Sequence, residues 1–377
     1  MASTGGVRSA AWPVVHRAID DQAASPQHGA RLEIHWSGGR AVAGFAIDED
    51  GRRRPHPATP PDLDLRPVDR LPVEPVDAGR LTVVIPTRDR PDDLSRCLAS
   101  LAAQSLPPDQ VVVVDNGSAT PAAGEAAVAA GATLVREERP GLDYARNAGT
   151  AAARGDIIAF CDDDVALHPD WCREILRAFG DPAVSAVTGL VLPMELETEA
   201  QRTFEFEWGF GRGFEPIEFG PDFFRRTMSG GCPAWLIGAG ASMAFRREVF
   251  ESVGLFDERL DAGRAGCSGD SEFWYRILAT GGVCRYEPRI VSFHRHRKTM
   301  DELNRQVRAY MRGHVAALLV QHQRFGHHGN LRRAVLTLPV RYAGRIARKA
   351  ARGGDGLLWS EIFGFASGFV YFLRHRR

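Results

Sequence analysis

Short apolar runs that alternate with helical patterns fill residues 80–160 and restrict the folds open to this chain. Two of the runs, Leu81–Pro86 and Val111–Val114, are apolar almost throughout, as expected of strands that are buried on both faces. Between them, residues 92–106 carry leucines at a helical spacing. Buried strands that alternate with helices indicate a parallel sheet covered on both sides, and the fold class is therefore predicted to be α/β.

Three carboxylates follow the last of these predicted strands. Asp162, Asp163 and Asp164 come directly after the apolar run Ile157–Phe160. Like charges repel each other at close range, and a divalent cation would relieve that repulsion. Mg²⁺ and Mn²⁺ prefer carboxylate oxygens and commonly hold substrate phosphates as well. Because residues i and i+2 of a strand share a face, Asp162 and Asp164 are predicted to bind one ion; a solvated acidic turn is the alternative.

Polar residues at the ends of the other strands point to the same place. Ligands of parallel sheets bind beyond the carboxyl ends of the strands, so Thr87, Asp115 and Asp162 are expected to face one crevice. Asp115 would accept a hydrogen bond from a nucleobase, or it would only form the turn. Arg146 and Asn147 lie on a predicted helix that leads to this crevice. A guanidinium there would clamp a diphosphate, and a surface arginine is the alternative.

Four motifs follow one another within residues 85–164: Ile-Pro-Thr-Arg at 85–88, Val-Asp-Asn-Gly-Ser at 114–118, Ala-Arg-Asn-Ala-Gly at 145–149 and Phe-Cys-Asp-Asp-Asp at 160–164. The ordered set resembles the family 2 glycosyltransferases. The resemblance implies a GT-A-like, mostly parallel sheet flanked by helices, a nucleotide-diphosphosugar donor, Mn²⁺ or Mg²⁺ as cofactor, and inversion at the anomeric carbon. It also implies the donor-binding residues Pro86, Thr87, Arg88, Asp115, Arg146, Asn147, Asp162 and Asp163, and the metal ligands Asp162, Asp164 and His294.

A later motif supplies a candidate for the catalytic base. Residues 269–276, Gly-Asp-Ser-Glu-Phe-Trp-Tyr-Arg, resemble the family's Glu-Asp-x-Asp-Leu-x-x-Arg motif, and the resemblance assigns the base to Asp270. Inverting transfer needs one carboxylate that takes the proton from the acceptor hydroxyl. A helix N-cap is the alternative for Asp270. Gly269 and Glu272 depart from the family pattern, and with Trp235 they are predicted to border the acceptor.

A basic region follows residue 330. Residues 331–377 contain ten basic and two acidic residues and carry a charge of +8, which leaves −8 on the rest of the chain. Arginines and apolar residues are interleaved in this region. The pattern predicts amphipathic helices that lie on an anionic membrane surface, or helices that pack on the catalytic domain or on a second copy. Nucleic acid is not expected as a partner, and the oligomeric state is open.

Three regions follow from these patterns: an N-terminal extension over 1–79 with a small β-hairpin and a proline-rich linker, a catalytic domain over 80–300, and a basic helical region over 301–377. Since no signal peptide is evident, we expect a cytoplasmic protein, peripheral on the inner face of the membrane. The Gln-x-x-Arg-Trp motif of the family's processive synthases is missing from the sequence, so a single addition is expected.

The predicted function is sugar transfer to a glycan or lipid-linked acceptor in envelope glycan or glycoconjugate synthesis. Uridine is favoured as the donor nucleoside, with guanosine and thymidine left open. One alternative is a sugar-nucleotide nucleotidyltransferase, which is disfavoured because no glycine-rich loop follows Ile85. The other is a non-catalytic sugar-nucleotide-binding scaffold, which only Gly269 and Glu272 support.

Overall fold

The computed structural model describes residues 12–18, 29–57, 66–67, 78–353 and 356–376. Its strands are β1 Val14–Ala18, β2 Arg31–Ser37, β3 Arg40–Ile47, β4 Arg53–Pro55, β5 Arg66–Pro67, β6 Leu81–Thr87, β7 Gln110–Asp115, β8 Thr133–Arg136, β9 Ile157–Cys161, β10 Val165–Leu167, β11 Val184–Pro193, β12 Ile217–Phe219, β13 Ser242–Arg246 and β14 Val283–His294. Its α-helices are α1 Pro91–Ala102, α2 Ala122–Ala129, α3 Leu142–Ala152, α4 Trp171–Ala178, α5 Glu199–Trp208, α6 Pro221–Thr227, α7 Arg247–Val253, α8 Gly269–Ala279, α9 Met300–Phe325, α10 His328–Arg332, α11 Leu338–Arg352 and α12 Leu358–His375.

The larger of two sheets has the strand order β5-β12-β14-β11-β13-β9-β6-β7-β8, and β10 pairs with β14. Strands β6 to β9 run parallel to their neighbours within this group. Beyond β9 the sheet is mixed, because β13 is antiparallel to both β9 and β11. The predicted α/β fold, with helices around a central sheet, is confirmed.

Two apolar cores lie on opposite faces of this sheet. Along β6, Val84 contributes to one core, and Val83 and Ile85 contribute to the other. All seven residues of β6 are buried. Burial of each apolar side chain contributes about 1.5–3 kcal/mol to the free energy of unfolding. Because both faces of β6 are buried, apolar residues are favoured at every position of the strand, which explains the continuous apolar run in the sequence.

The smaller sheet has the order β1-β2-β3-β4 and contains the predicted hairpin, formed by β2 and β3. It packs on the larger sheet, since Trp36 and His16 both contact the ring of Phe293 in β14. The proline-rich segment lies mostly outside the described residues. Its described part includes β5, which pairs with β12 of the larger sheet.

The C-terminal helices share an apolar core with α9. Helix α12 packs along α9, and Gly364 and Gly368 of α12 lie against the backbone of α9 so closely that a Cβ atom would overlap with it. Packing on the protein, one of the predicted alternatives, therefore holds for α12. Throughout the described part of the chain, no helix has both the length and the apolar character that crossing a bilayer requires.

Candidate active site

A possible cation site lies where β9 and β14 end. One ligand atom each from Asp162, Asp164 and His294 can be chosen so that all lie within 4.8 Å of one another. The register explains this, because Val165 of β10 pairs with His294 and Asp164 immediately precedes β10. The Oδ1 atom of Asp164 is buried and accepts no hydrogen bond, and it lies 3.4 Å from Nε2 of His294. Two carboxylates and one imidazole are a donor set that Mn²⁺ or Mg²⁺ accepts, so these residues fit the predicted metal.

Burial controls the protonation of these ligands. It lowers the pKa of His294 to about 4, which keeps the ring neutral and able to ligate. Burial and the nearby charge of Asp164 raise the pKa of Asp162 to about 7. The pKa of Asp164 is lowered despite its burial, because His294, Arg90 and Arg297 favour the carboxylate form. Without a cation, ionising Asp162 beside the charged Asp164 costs free energy, and a bound cation would remove that cost.

A buried hydrogen-bonded chain extends behind His294. Its Nδ1 lies 3.0 Å from Nδ1 of His296, and Nε2 of His296 lies 2.8 Å from Oε2 of Glu205. The other carboxylate oxygen of Glu205 lies 2.6 Å from Nε2 of His56. Burial raises the pKa of Glu205, but the hydrogen bonds from His296 and His56 outweigh it and lower the pKa to about 2. Glu205 is therefore a permanent anion behind the cation site.

Arg90 holds the acidic loop, residues 162–164, through two of its carboxylates. Its Nη1 donates to Oδ1 of Asp163 at 3.1 Å and to Oδ2 of Asp164 at 3.0 Å. Thr87 also donates to Asp163, through Oγ1 at 2.8 Å. Burial and the charge of Asp164 raise the pKa of Asp163 to about 6, although Arg90 opposes this. Asp163 thus points away from the possible ion, as the strand period predicts, and holds the loop in place.

A cavity of about 620 Å³ opens over this loop. Pro86, Thr87 and Arg88 line it at the end of β6, and Asp162, Asp163, Asp164 and His294 line its metal end. It lies beyond the carboxyl ends of parallel strands, where ligands of such sheets bind. Three arginines that are not part of the four motifs also line it: Arg90, Arg297 and Arg305.

Asp115 is placed differently from the prediction. Its Oδ2 accepts from Arg136 at 2.5 Å and its Oδ1 accepts from the backbone N–H of Ser118 at 2.9 Å. The carboxylate is buried and does not line the cavity, whereas the next residue, Asn116, does. Asp115 therefore forms the turn, as the alternative proposes, and its contact with a nucleobase stays a prediction.

Arg146 and Asn147 are both buried. Nη1 of Arg146 donates to Asp143 at 2.9 Å and to Asp261 at 2.5 Å, so its charge is already balanced. It is not a surface arginine, it lines the wall of a cavity beside Asp162, and its contact with a diphosphate stays a prediction. The side chain of Asn147 exchanges two hydrogen bonds with the backbone of Phe256 and lines neither cavity. Its place indicates a structural role in holding that turn.

Asp270 lies in the first turn of α8, where Ser268 is the N-cap residue. The N-cap alternative for Asp270 is therefore wrong. Its Oδ2 accepts from the N–H of Gly240 at 2.8 Å, and its Oδ1 accepts from the N–H of Ser271 at 2.6 Å. Burial and the negative charge of Asp261 raise the pKa of Asp270. A carboxylate with a raised pKa is a stronger base, as general base catalysis requires.

A second cavity, of about 520 Å³, contains Asp270 in its wall. Trp235 also lines it, and its predicted contact with an acceptor stays a prediction. The two cavities share five lining residues: Leu142, Asp162, Phe210, Asp261 and Tyr310. They therefore meet at Asp162, with the possible cation site on one side and Asp270 on the other.

Gly269 and Glu272 do not line this cavity. A Cβ atom at Gly269 would overlap with the carboxylate of Asp143, so only glycine fits there. Glu272 is fully buried, and its Oε2 accepts from Nε of Arg276 at 2.9 Å. Neither residue lines either cavity, and both departures from the family motif have a packing explanation.

Comparison with known proteins agrees with this arrangement. Residues 82–254 match the sequence model of Glycosyl transferase family 2. The predicted resemblance to the family 2 glycosyltransferases is therefore confirmed for these residues. Asp162 and Asp164 lie inside the matched residues, whereas Asp270 and His294 follow them.

Two curated relatives are longer than this chain. This chain is 29% identical over 250 residues to the pre-mycofactocin glycosyltransferase of Mycobacterium tuberculosis, and the aligned region covers 64% of this chain and 48% of that protein. This chain is 27% identical over 299 residues to the O-antigen biosynthesis protein RfbC of Myxococcus xanthus, and the aligned region covers 77% of this chain and 23% of that protein. The chain thus spans about half or less of the length of these relatives.

Among solved structures, the mannosyltransferase PcManGT of Pyrobaculum calidifontis has a similar fold. The TM-score is 0.54 at 20% identity, with 83% of this chain and 91% of that chain covered. The predicted GT-A fold is therefore confirmed.

The sequence motifs did not reveal every residue at the site. Arg90, Glu205 and His56 were missed, although each makes a hydrogen bond that orders the acidic loop or the histidines. The one available signal was the spacing of His294 and His296, which places two imidazoles on the same strand face.

Proposed function

We propose that the protein is a metal-dependent glycosyltransferase that transfers one sugar from a nucleotide-diphosphosugar to an acceptor hydroxyl, with inversion. The meeting of the two cavities at Asp162 is the observation that carries this proposal. It gives a donor cavity with a possible cation site and an acceptor cavity with a base, joined where the sugar would be transferred.

Asp162, Asp164 and His294 would hold Mn²⁺ or Mg²⁺ in the donor cavity. When bound, the ion supplies the positive charge that stabilises the leaving diphosphate. The chain adds its own cations here, since Arg88, Arg297 and Arg305 line the same cavity. Arginine suits this role because its guanidinium binds phosphate oxygens in a bidentate manner.

Asp270 would take the proton from the acceptor hydroxyl as the oxygen attacks the anomeric carbon. The two N–H groups of Gly240 and Ser271 fix the direction of its carboxylate. One base suffices for inversion, because the nucleotide diphosphate leaves from the opposite face of the sugar and no covalent intermediate is needed.

The donor and acceptor classes are proposed from the family resemblance and from the names of similar proteins. The family resemblance favours a uridine donor, whereas the solved PcManGT structure contains GDP-Man and Mn²⁺. The names of two relatives refer to O-antigen and succinoglycan biosynthesis, which favours an acceptor in envelope glycan or glycoconjugate synthesis.

We also propose that the chain binds the inner face of an anionic membrane through α11. Val335 and Leu336, just before this helix, and Val340 within it are more than half exposed. Helix α11 also carries several basic residues. Exposed apolar side chains beside basic ones are typical of a helix that lies in a membrane interface, where a lipid-linked acceptor would be reached.

Calorimetric titration of the purified protein with UDP-, GDP- and dTDP-sugars, with and without Mn²⁺, tests the transferase proposal. We expect one donor to bind only with metal, and the Asp162→Ala/Asp164→Ala variant to lose that binding. Asp156→Ala, at the other end of β9, is the control because Asp156 is exposed. A folded wild-type protein that binds no donor would overturn the proposal. Release of pyrophosphate from a nucleoside triphosphate and a sugar phosphate would instead indicate the nucleotidyltransferase.

A further inference from the structure

Arginines from the C-terminal helical region line the acceptor cavity. Arg333, Arg341 and Arg345 all contribute to its wall. Arg345 forms an ion pair with Glu361. Across the described ranges, neither Arg333 nor Arg341 has a carboxylate within ion-pair distance. Among the described residues, Arg333 and Arg341 therefore face the cavity without an ion-pair partner, in a wall that also carries the carboxylates of Asp162, Glu207, Asp261, Asp270 and Glu361.

Arg333 is the more constrained of the two. Its guanidinium carbon lies 4.4 Å from the ring centre of Trp235. Its Nε is buried and has no hydrogen-bond partner in the described structure. Burial and the neighbouring charge of Arg341 lower the pKa of Arg333 to about 10. A buried donor with no acceptor costs free energy that a bound anion would recover.

Arg212 adds a third positive charge to the same cavity. Its N–H groups donate to the backbone carbonyls of Gly209, Gly211, Trp235 and Leu236. These partners are neutral, so the hydrogen bonds orient the guanidinium without cancelling its charge. Asp270 and Glu205 act on Arg212 by their charge, whereas Arg333 and Arg341 have no ion pair within the described part of the chain, and it is these two charges that favour a negatively charged ligand beside them.

We propose that the acceptor carries a phosphate or pyrophosphate group, and that Arg333 and Arg341 bind this group while an acceptor hydroxyl faces Asp270. These two guanidinium groups match a dianion in charge, and arginine pairs with phosphate oxygens in a bidentate manner. Trp235, Phe210 and Tyr310 in the same wall offer aromatic faces to a sugar or a prenyl chain. The inference rests on the proposed function, because it assigns the class of acceptor for the same transfer.

The anion could belong to a lipid-linked or to a soluble acceptor, and two probes distinguish these sources. Glucose 1-phosphate represents the soluble class, and farnesyl phosphate in detergent micelles represents the lipid class. Each would be titrated by calorimetry into protein saturated with Mn²⁺ and the donor nucleotide, so that the first cavity is occupied. Glucose and farnesol are the uncharged controls.

We expect at least one phosphate probe to bind and its uncharged counterpart to bind at least tenfold more weakly. Arg333→Gln and Arg341→Gln should each lower the affinity for the phosphate probe by about tenfold or more, as expected when a charge-assisted pair is lost. Arg332→Gln is the matched control, since Arg332 is exposed and does not line the cavity. Arg333→Lys should keep more affinity than Arg333→Gln, because it keeps the charge.

Failure of this inference can be separated from failure of the proposed function. Donor binding is measured first on the same samples, and its absence would count against the transferase itself. If the donor binds but neither phosphate probe does, or if both glutamine variants keep wild-type affinity for the probe, the inference is wrong. Thermal unfolding controls for folding, since loss of an uncompensated buried charge should leave the Tm of Arg333→Gln unchanged or raised.

Discussion

Nδ1 of His294 and Nδ1 of His296 lie 3.0 Å apart. One of the two nitrogens must carry the proton, and the other must accept it. With Nε2 of His296 donating to Glu205, Nδ1 of His296 is the atom that can accept from His294. His294 therefore donates from Nδ1 and presents the lone pair of Nε2 towards Asp164. Glu205 thereby selects the tautomer that a metal ligand needs.

Removal of this carboxylate should weaken the cation site. We expect Glu205→Ala to lower the affinity for Mn²⁺ by about 10–100-fold, because His294 is then free to adopt the tautomer with a proton on Nε2. Calorimetric titration with Mn²⁺ alone measures the change. Glu199→Ala is the control, since Glu199 is exposed on the same helix. A folded Glu205→Ala protein with unchanged affinity would contradict the tautomer argument.

The affinity for Mn²⁺ should also depend on pH. Burial and the charge of Asp164 raise the pKa of Asp162 to about 7 in the metal-free protein, and only the deprotonated carboxylate binds metal. Affinity should therefore be constant above that pKa and fall by about tenfold per pH unit below it, with release of about one proton per ion bound. His294 does not contribute in this range, because its pKa is lowered to about 4.

Calorimetry in buffers of different ionisation enthalpy counts the released protons. Asp162→Asn, which cannot be protonated in this range, should remove the pH dependence together with most of the affinity. Equal affinities of the wild-type protein at pH 6 and pH 8 would show that Asp162 is ionised throughout.

Much of the fold could be predicted from the sequence because its determinants are local. The run Leu81–Thr87 is apolar since both faces of β6 are covered, and the position of Asp162 after β9 follows directly from the strand before it. Strand ends define the crevice, so Thr87 and Asp162 could be assigned to it without knowledge of any contact between them.

The direction of individual side chains could not be predicted, because distant partners decide it. Asn147 turns to the backbone of Phe256, which is 109 residues away. Glu205 and His56, which are 149 residues apart, meet only in the folded chain. No periodicity in one segment specifies such a pair, and these residues therefore escaped the sequence analysis or were assigned contacts that they do not make.

Asp270→Asn should abolish transfer without loss of donor binding. General base catalysis typically contributes about 10²–10⁴-fold to a rate, and an amide cannot accept the proton. Because burial and Asp261 raise the pKa of Asp270, the wild-type rate should rise with pH as this group ionises and then level off. A single-turnover assay with bound donor measures both effects. Full transfer by a folded Asp270→Asn protein would rule out Asp270 as the base.

Gly269→Ala should destabilise the protein. The new Cβ atom would overlap with the carboxylate of Asp143, which is held by Arg146. Overpacking of this kind costs about 1–3 kcal/mol of the free energy of unfolding, as measured by chemical denaturation. Gly344→Ala is the control, because it is also helical and a Cβ atom there meets only the flexible end of Arg348 at 3.7 Å. That change should be neutral or stabilising.

Membrane binding by α11 predicts a loss of affinity when its apolar side chains are replaced. Leu336→Ser/Val340→Ser removes two side chains that are 52% and 63% exposed, so folding should be little affected. Insertion of such side chains into an interface contributes about 1 kcal/mol or more each, and the variant should bind phosphatidylglycerol vesicles at least tenfold more weakly in a sedimentation assay. Val128→Ser on α2, where Val128 is 62% exposed, is the control.

Since the basic residues of α11 act by charge, high salt should also weaken binding to the vesicles. Equal binding to neutral and anionic vesicles would contradict the electrostatic part of the proposal, and unchanged binding of the double variant would exclude this face of α11 as the contact.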